Sequence, residues 1–204
     1  LVDKIDRLVN FFWHKDFRFQ YLQGTKSMSI MSVHKIPLPS ESLIAKSFPV
    51  IDYADCFAAI IPGDKPVLIR DCIYPMFNDC PKWVDWLMRI RNILVYPFGL
   101  KGSRDNPGQN GLSHTIAKGN ELGLFTVMEC NDHEVLLGIF DSHLDACISV
   151  FIEKNPDNRS ILLSTAVKFN NNLGKIYFFI IKPFHIIIVP ALLKKLINTL
   201  KTNY

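Results

Sequence analysis

The sequence predicts an α+β domain in which a curved antiparallel sheet packs on a long C-terminal helix, with two helices after the first strand. Three observations carry this helix-grip expectation. Runs of strand-forming residues at 123–130, 134–140, 145–153 and 160–169 are separated by Asn131-Asp132 and by Asn155-Pro156-Asp157-Asn158, the turn chemistry of antiparallel hairpins. Helix-period stretches lie between an earlier extended segment and those runs. From Ile176 the chain is apolar almost to its end, too long a run for a strand.

Residues 1–31 stand apart from the rest. Leu1, Ile5, Leu8, Val9 and Phe12 recur at helical spacing before residues 23–27 break the pattern. They read as an N-terminal appendage, either non-native translated sequence or a short amphipathic helix, and residues 32–204 as a single domain. The domain opens with Ile36-Pro37-Leu38-Pro39, held extended by its prolines, and a polar connection from Ser40 to Ser47.

Residues 51–61 are the predicted first strand, stopped by Pro62-Gly63-Asp64. A short helix over 67–77 follows. A second is introduced by Asn78, Asp79 and Pro81, which suit a helix start. Trp83, Leu87, Ile90 and Leu94 share one face of it, and Asp85 and Arg89 stand four apart as an ion pair would. Pro97-Phe98-Gly99 ends this helix, and 101–119 form a loop long enough to cover a ligand site. The closing helix begins after Asn170-Asn171-Asn172-Leu173-Gly174 and is expected to bend or break at Pro183 and Pro190.

A chain of 204 residues, 49% apolar and 21% charged, holds one domain with a hydrophobic core and is too short for two large ones. Its 23 basic and 19 acidic side chains are scattered, without the run of like charge that a nucleic-acid-binding surface carries, so no nucleic-acid partner is expected. Cys56, Cys72, Cys80, Cys130 and Cys147 show neither C-x-x-C spacing nor a secreted disulfide pattern. Reduced thiols in a cytoplasmic protein are the expectation. Residues 1–23 lack the continuous apolar stretch and small-residue cleavage site of a signal peptide.

Residues 176–193, followed by Lys194 and Lys195, also have the length and flank of a membrane span. A spanning helix would carry Lys182, His185 and two prolines into hydrocarbon, at roughly 2.5–3.5 kcal/mol for a lysine near the bilayer centre. A core helix in a water-soluble protein is expected instead, with no membrane partner. The sequence leaves the oligomeric state open.

Several phrases occur together in order: Asp52-Tyr53-Ala54-Asp55-Cys56-Phe57, Arg89-Ile90-Arg91-Asn92, Phe98-Gly99-Leu100-Lys101 and Glu134-Val135-Leu136-Leu137-Gly138. Asp141-Ser142-His143-Leu144-Asp145, Asn172-Leu173-Gly174-Lys175-Ile176-Tyr177 and Lys182-Pro183-Phe184-His185 follow. Over about Val33 to Leu196 the chain resembles DUF2867, a bacterial family of unknown function that also occurs fused behind short-chain-dehydrogenase-like domains. The resemblance implies a START-like or Bet v1-like helix-grip fold and brings no reaction, cofactor or catalytic residue. Ala146-Cys147 and Ile186 depart from the aromatic, arginine and basic residues of the family pattern.

Asp141, His143 and Asp145 are spaced so that a continuous strand would project all three from one face, where two carboxylates and an imidazole can do acid–base work. The same letters fit a hairpin turn, with Asp141 and Ser142 satisfying local backbone and His143 exposed, and the turn is the favoured reading. No distant third ligand is evident, so no metal is assigned. His185 lacks a visible charge partner and reads as a core or boundary histidine. Arg89 and Arg91 can clamp an anion or simply face solvent. Asp52 and Asp55 can share acid and base roles, but read more simply as strand-edge residues.

G-x-x-x-x-G-K-[ST], G-x-G-x-x-G and G-x-S-x-G are all absent, which leaves nucleotide-dependent and α/β-hydrolase readings without support. Two function classes remain. The first is a binding module for a small hydrophobic molecule, with Arg91, Phe125, Phe140, Phe151, Phe169, Tyr177, Phe178 and His185 lining the space between sheet and helix. The second is a hydrolase or cyclase-like enzyme built on Asp141, His143 and Asp145. An interaction subunit for a dehydrogenase-like partner is a third, by analogy with the family fusions.

Overall fold

The computed structural model describes residues 33–61, 66–78, 89, 116–123, 125–154 and 159–203. Seven strands form one sheet: β1 (His34–Ile36), β2 (Tyr53–Ile60), β3 (Glu121–Leu122), β4 (Phe125–Cys130), β5 (Glu134–Phe140), β6 (Leu144–Lys154) and β7 (Arg159–Phe169). Their order is β1-β2-β7-β6-β5-β4-β3, with every pairing antiparallel. A 3-10 turn (Leu43–Lys46), helix α1 (Ile69–Asn78) and the long helix α2 (Asn172–Asn203) complete the described elements. This is an α+β fold, consistent with a helix-grip arrangement.

Alternation along the strands decides which side chains meet the helices. Phe57 and Ala59 on β2, Ile161 and Leu163 on β7, Val150 and Ile152 on β6, and Val135 and Leu137 on β5 share one core with Cys72 and Ile73 of α1 and Val189, Leu193, Leu196, Ile197 and Leu200 of α2. A fully buried leucine or isoleucine contributes roughly 1.5–3 kcal/mol, so this face is the main source of stability. The intervening residues point the other way. Ala166, Cys147 and Leu136 meet Ile44, Leu38 and Phe48 of the segment that leads into β2, which is why β7 is apolar on both faces.

Glu134 fixes that covering segment. Its carboxylate is buried, accepts from Leu43 N at 2.8 Å and Ile44 N at 3.4 Å, and takes the Ser149 hydroxyl at 2.5 Å. The free N–H groups that open the 3-10 turn are thereby satisfied by a strand residue.

The start of α2 is clamped to the β5–β6 turn. Asn171 accepts from Gly174 N at 3.1 Å as the helix cap and donates to Ser142 O at 3.0 Å, while Asn170 N donates to His143 O at 3.0 Å. Gly174 packs so closely that a Cβ there would lie 2.0 Å from the His143 carbonyl oxygen. Only glycine fits.

Several expectations are corrected. Pro183 and Pro190 both lie inside one continuous helix and do not interrupt it. β1 was expected only as extended chain; the strand expected at 123–130 is β4 over 125–130, and the two-residue β3 ahead of it, ending just before Gly123, whose φ of 64° favours glycine, was not expected. The second helix expected after the first long strand, and residues 1–31, lie outside the described residues, apart from Arg89, which is helical.

Helix α2 is not enclosed on all sides. Its Asn172–Thr202 stretch is long and apolar enough to cross a membrane, and only 22% of its most apolar window, of mean hydropathy 2.1, is buried. One side lies on the sheet and α1; Ile176 and Phe179 face outward.

Candidate functional site

Among the described residues, two places bring chemistry-bearing side chains together. The first lies under α2. Tyr53 and Asp55 are two apart on β2 and therefore share the helix-facing side, and Asp55 stands opposite Thr165 of β7. From above, His185 of α2 reaches down, its Nε2 3.1 and 3.3 Å from the two carboxylate oxygens. The Tyr53 hydroxyl donates to the same carboxylate at 2.7 Å. An ionised carboxylate only accepts, so this network assigns the ring proton to Nε2.

Burial by itself would push the Asp55 carboxyl up, but the bond and charge of His185, the Tyr53 hydroxyl and the Lys35 charge hold it below the ordinary aspartate value. The Tyr53 phenol is driven well above its ordinary value by burial, by its bond to Asp55 and by that residue's charge. Lys182 lies 5.1 Å from the centre of the Tyr53 ring, and Phe178 packs on the same ring. Thr165 Oγ1 is buried without a hydrogen-bond partner. The cluster ties the helix to the sheet and can hold a proton between carboxylate and imidazole.

The second place is a cleft of about 960 Å³ at the opposite end of β5 from the turn that clamps α2. Val67, Ile69, Ile116, Val135 and Ile152 supply apolar lining. Arg70, His133, Lys154 and Arg159 supply cationic or protonatable groups, and Asp132 is the one carboxylate among the described lining residues. One wall is prebuilt: Asn131 Oδ1 accepts from His133 N at 2.8 Å and Glu134 N at 2.7 Å, and Ile152 N donates to His133 O at 2.7 Å. These bonds fix the β4–β5 turn on the rim.

Asp141 and His143 lie side by side in one turn, while Asp145 is engaged by other partners. Asp141, Ser142 and His143 form the β5–β6 turn, in line with the favoured reading, but His143 is buried against Tyr177, ring centres 4.8 Å apart, where an exposed side chain was expected. Its Nδ1 lies 3.3 Å from Asp141 Oδ1 without hydrogen-bond geometry. Asp145 is engaged by Asn170 Nδ2 at 3.1 Å and Lys168 Nζ at 3.6 Å. Among the described residues no group of three His, Cys, Asp or Glu side chains is placed to hold a metal ion.

The aromatic residues do not line one space either. Phe140 shares the strand face of Leu136 and is 52% exposed, and Phe151 packs near Cys56, Ala58 and Leu162 on the side away from α2. Phe125 packs on the main core, while Tyr177 and Phe178 belong to a smaller cluster with Tyr53 and Phe169. Arg91 lies outside the described residues. Asp52 accepts from Phe169 N at 2.7 Å and is a strand-end anchor.

Two of the phrases behind the family resemblance, 52–57 and 182–185, thus meet at the Asp55–His185 contact. A family model described as "Protein of unknown function (DUF2867)" matches residues 47–192. The chain belongs to the DUF2867 family. No curated protein and no solved structure matches it. The DUF2867 match spans both places, from the β2 carboxylate to His185 and from Pro66 to Arg159 of the cleft.

Proposed function

We propose that this DUF2867 domain is a small-molecule binding module, and that its ligand is an amphipathic anion seated in the cleft beside α1. The apolar part rests on Val67, Ile69, Ile116, Val135 and Ile152, and a carboxylate or phosphate head meets Arg70, Lys154 and Arg159. The observation that carries this reading is the pairing of an apolar lining with a rim on which cationic groups outnumber the single carboxylate, in a space of about 960 Å³. Ligand pockets run to about 300–1,000 Å³, so the cleft has room for a drug-sized or fatty-acid-sized molecule. The START-like or Bet v1-like form of the helix-grip fold belongs to the same proposal, supported by the order of the elements and the α1–α2 packing on one face.

Native mass spectrometry with dodecanoate and dodecylamine tests it. Dodecanoate is expected to bind one per chain and dodecylamine to fail. Arg70→Glu with Lys154→Glu should weaken the anion at least about tenfold, since each charge-assisted hydrogen bond contributes roughly 1.5–3 kcal/mol. Equal binding of the two probes, or no effect of charge reversal, would overturn the proposal.

A further inference from the structure

An apolar helix is normally enclosed on every side. Helix α2 packs on β2, β7 and α1, yet Leu173, Ile176 and Phe179 stand 36%, 49% and 63% exposed along the outward arc of its first half. Lys175 is exposed on the same arc, and Lys194, five turns on from Ile176, is exposed in line with it, whereas the Lys182 ammonium lies toward the Tyr53 ring. Over its whole length the helix carries Lys175, Lys182, Lys194, Lys195 and Lys201 and no aspartate or glutamate. Among the described residues the carboxylates near the helix start are Asp141 in the turn beneath it, exposed Asp52, which holds Phe169 N, and half-buried Asp145, held by Lys168 and Asn170.

We propose that this arc docks on an anionic membrane surface. A row of Leu, Ile and Phe flanked by lysines is the pattern of a helix lying in the plane of the lipid headgroups, with the apolar side chains below and the ammonium groups at phosphate level. The charge argues against a second copy as occupant, because a two-fold contact would bring like-charged helices together. It argues against a spanning role too. His185 is tied to Asp55 and the inner face of the helix is spent on the sheet, so spanning would tear α2 from its core. The surface lies toward the end of the sheet away from the cleft, so it stands or falls independently of the proposed ligand.

The test is co-sedimentation of the full chain with vesicles of phosphatidylcholine alone, or with one quarter phosphatidylglycerol. The protein is expected to partition at least about tenfold better onto the anionic vesicles and to be released by 0.5 M salt. Lys175→Gln with Lys194→Gln should lower partitioning roughly thirtyfold, from about 1 kcal/mol per lysine near a charged surface. Phe179→Ser should lower it as well, with circular dichroism unchanged because the side chain is outside the core. Failure to sediment with either vesicle, equal binding to both, or retention after salt and alkaline carbonate washes would overturn the proposal. So would dimerisation cross-linked through Phe179→Cys, which would give the arc to a second copy.

Discussion

Replacing Gly174 by alanine sets two effects of opposite sign against each other. Within a helix, alanine is favoured over glycine by about 1 kcal/mol, so a glycine kept only by chance would yield a stabilised variant. The new Cβ, however, would sit 2.0 Å from the His143 carbonyl oxygen and 2.9 Å from its carbon, both backbone atoms. Relief requires the helix start and the β5–β6 turn to separate, which loosens the Asn170 N to His143 O bond and the Asn171 bonds to Ser142 and Gly174. Overpacking costs about 1–3 kcal/mol and a weakened cap about 1 kcal/mol more. After subtracting the helix-propensity gain, a net loss of about 2 kcal/mol is predicted, or roughly 4–8 °C in Tm for a chain of this size. Urea and thermal unfolding followed by circular dichroism measure it. Gly138→Ala is the control, since the nearest atoms to its Cβ would be side-chain atoms, Met128 Cγ and Phe140 Cε2 at 2.8 Å and Phe140 Cζ at 3.0 Å, and Phe140 is exposed. It should lose under about 1 kcal/mol. A Gly174→Ala protein as stable as wild type, or more so, would refute the clamp.

Three further outcomes follow from buried polar groups. Asp55→Ala leaves His185 and Tyr53 without their shared acceptor and should destabilise by about 3–5 kcal/mol, read from urea midpoints. Because the folded Asp55 carboxyl lies below its ordinary value, its contribution is present above about pH 4 and fades as pH falls through the folded value. Wild type should therefore lose more stability between pH 5 and pH 3 than Asp55→Asn, and parallel curves would contradict this. Glu134→Ala strips acceptors from Leu43 N, Ile44 N and Ser149, and should cost about 2–4 kcal/mol while speeding proteolysis within residues 38–51, assayed by limited digestion. Burial pushes the Cys56 and Cys147 thiols up to about 11 and Cys72 up to about 12. In the native protein at pH 8 these three should resist iodoacetamide and react once urea is added, a difference that peptide mass mapping resolves.

How much of this was legible in the sequence depended on range. The hairpin strands were readable because Asn131-Asp132 and Asp141-Ser142 are local turn chemistry, and β5 was expected at the residues it occupies, 134–140. Strand β1 was not, since three residues become a strand only by pairing with β2 twenty or more positions later. The partner of His185 was invisible for the same reason: Asp55 stands 130 residues away. Tyr53-x-Asp55 did carry a signal, for period-two spacing places both on one face. Parity would also have separated Phe140 and Phe151 from the core, because they alternate with Leu137 and Val150. His143 was expected to be exposed because turns usually are; Tyr177, from a helix beginning almost thirty residues later, covers it.

The cleft is best tested by mapping amide chemical shifts of the labelled protein on addition of dodecanoate. The proposed function predicts saturable shifts at Ile69, Arg70, Ile116, His133, Ile152 and Lys154, with Tyr53 and His185 little changed. Shifts centred on the Asp55–His185 contact, or none at millimolar ligand, would contradict it.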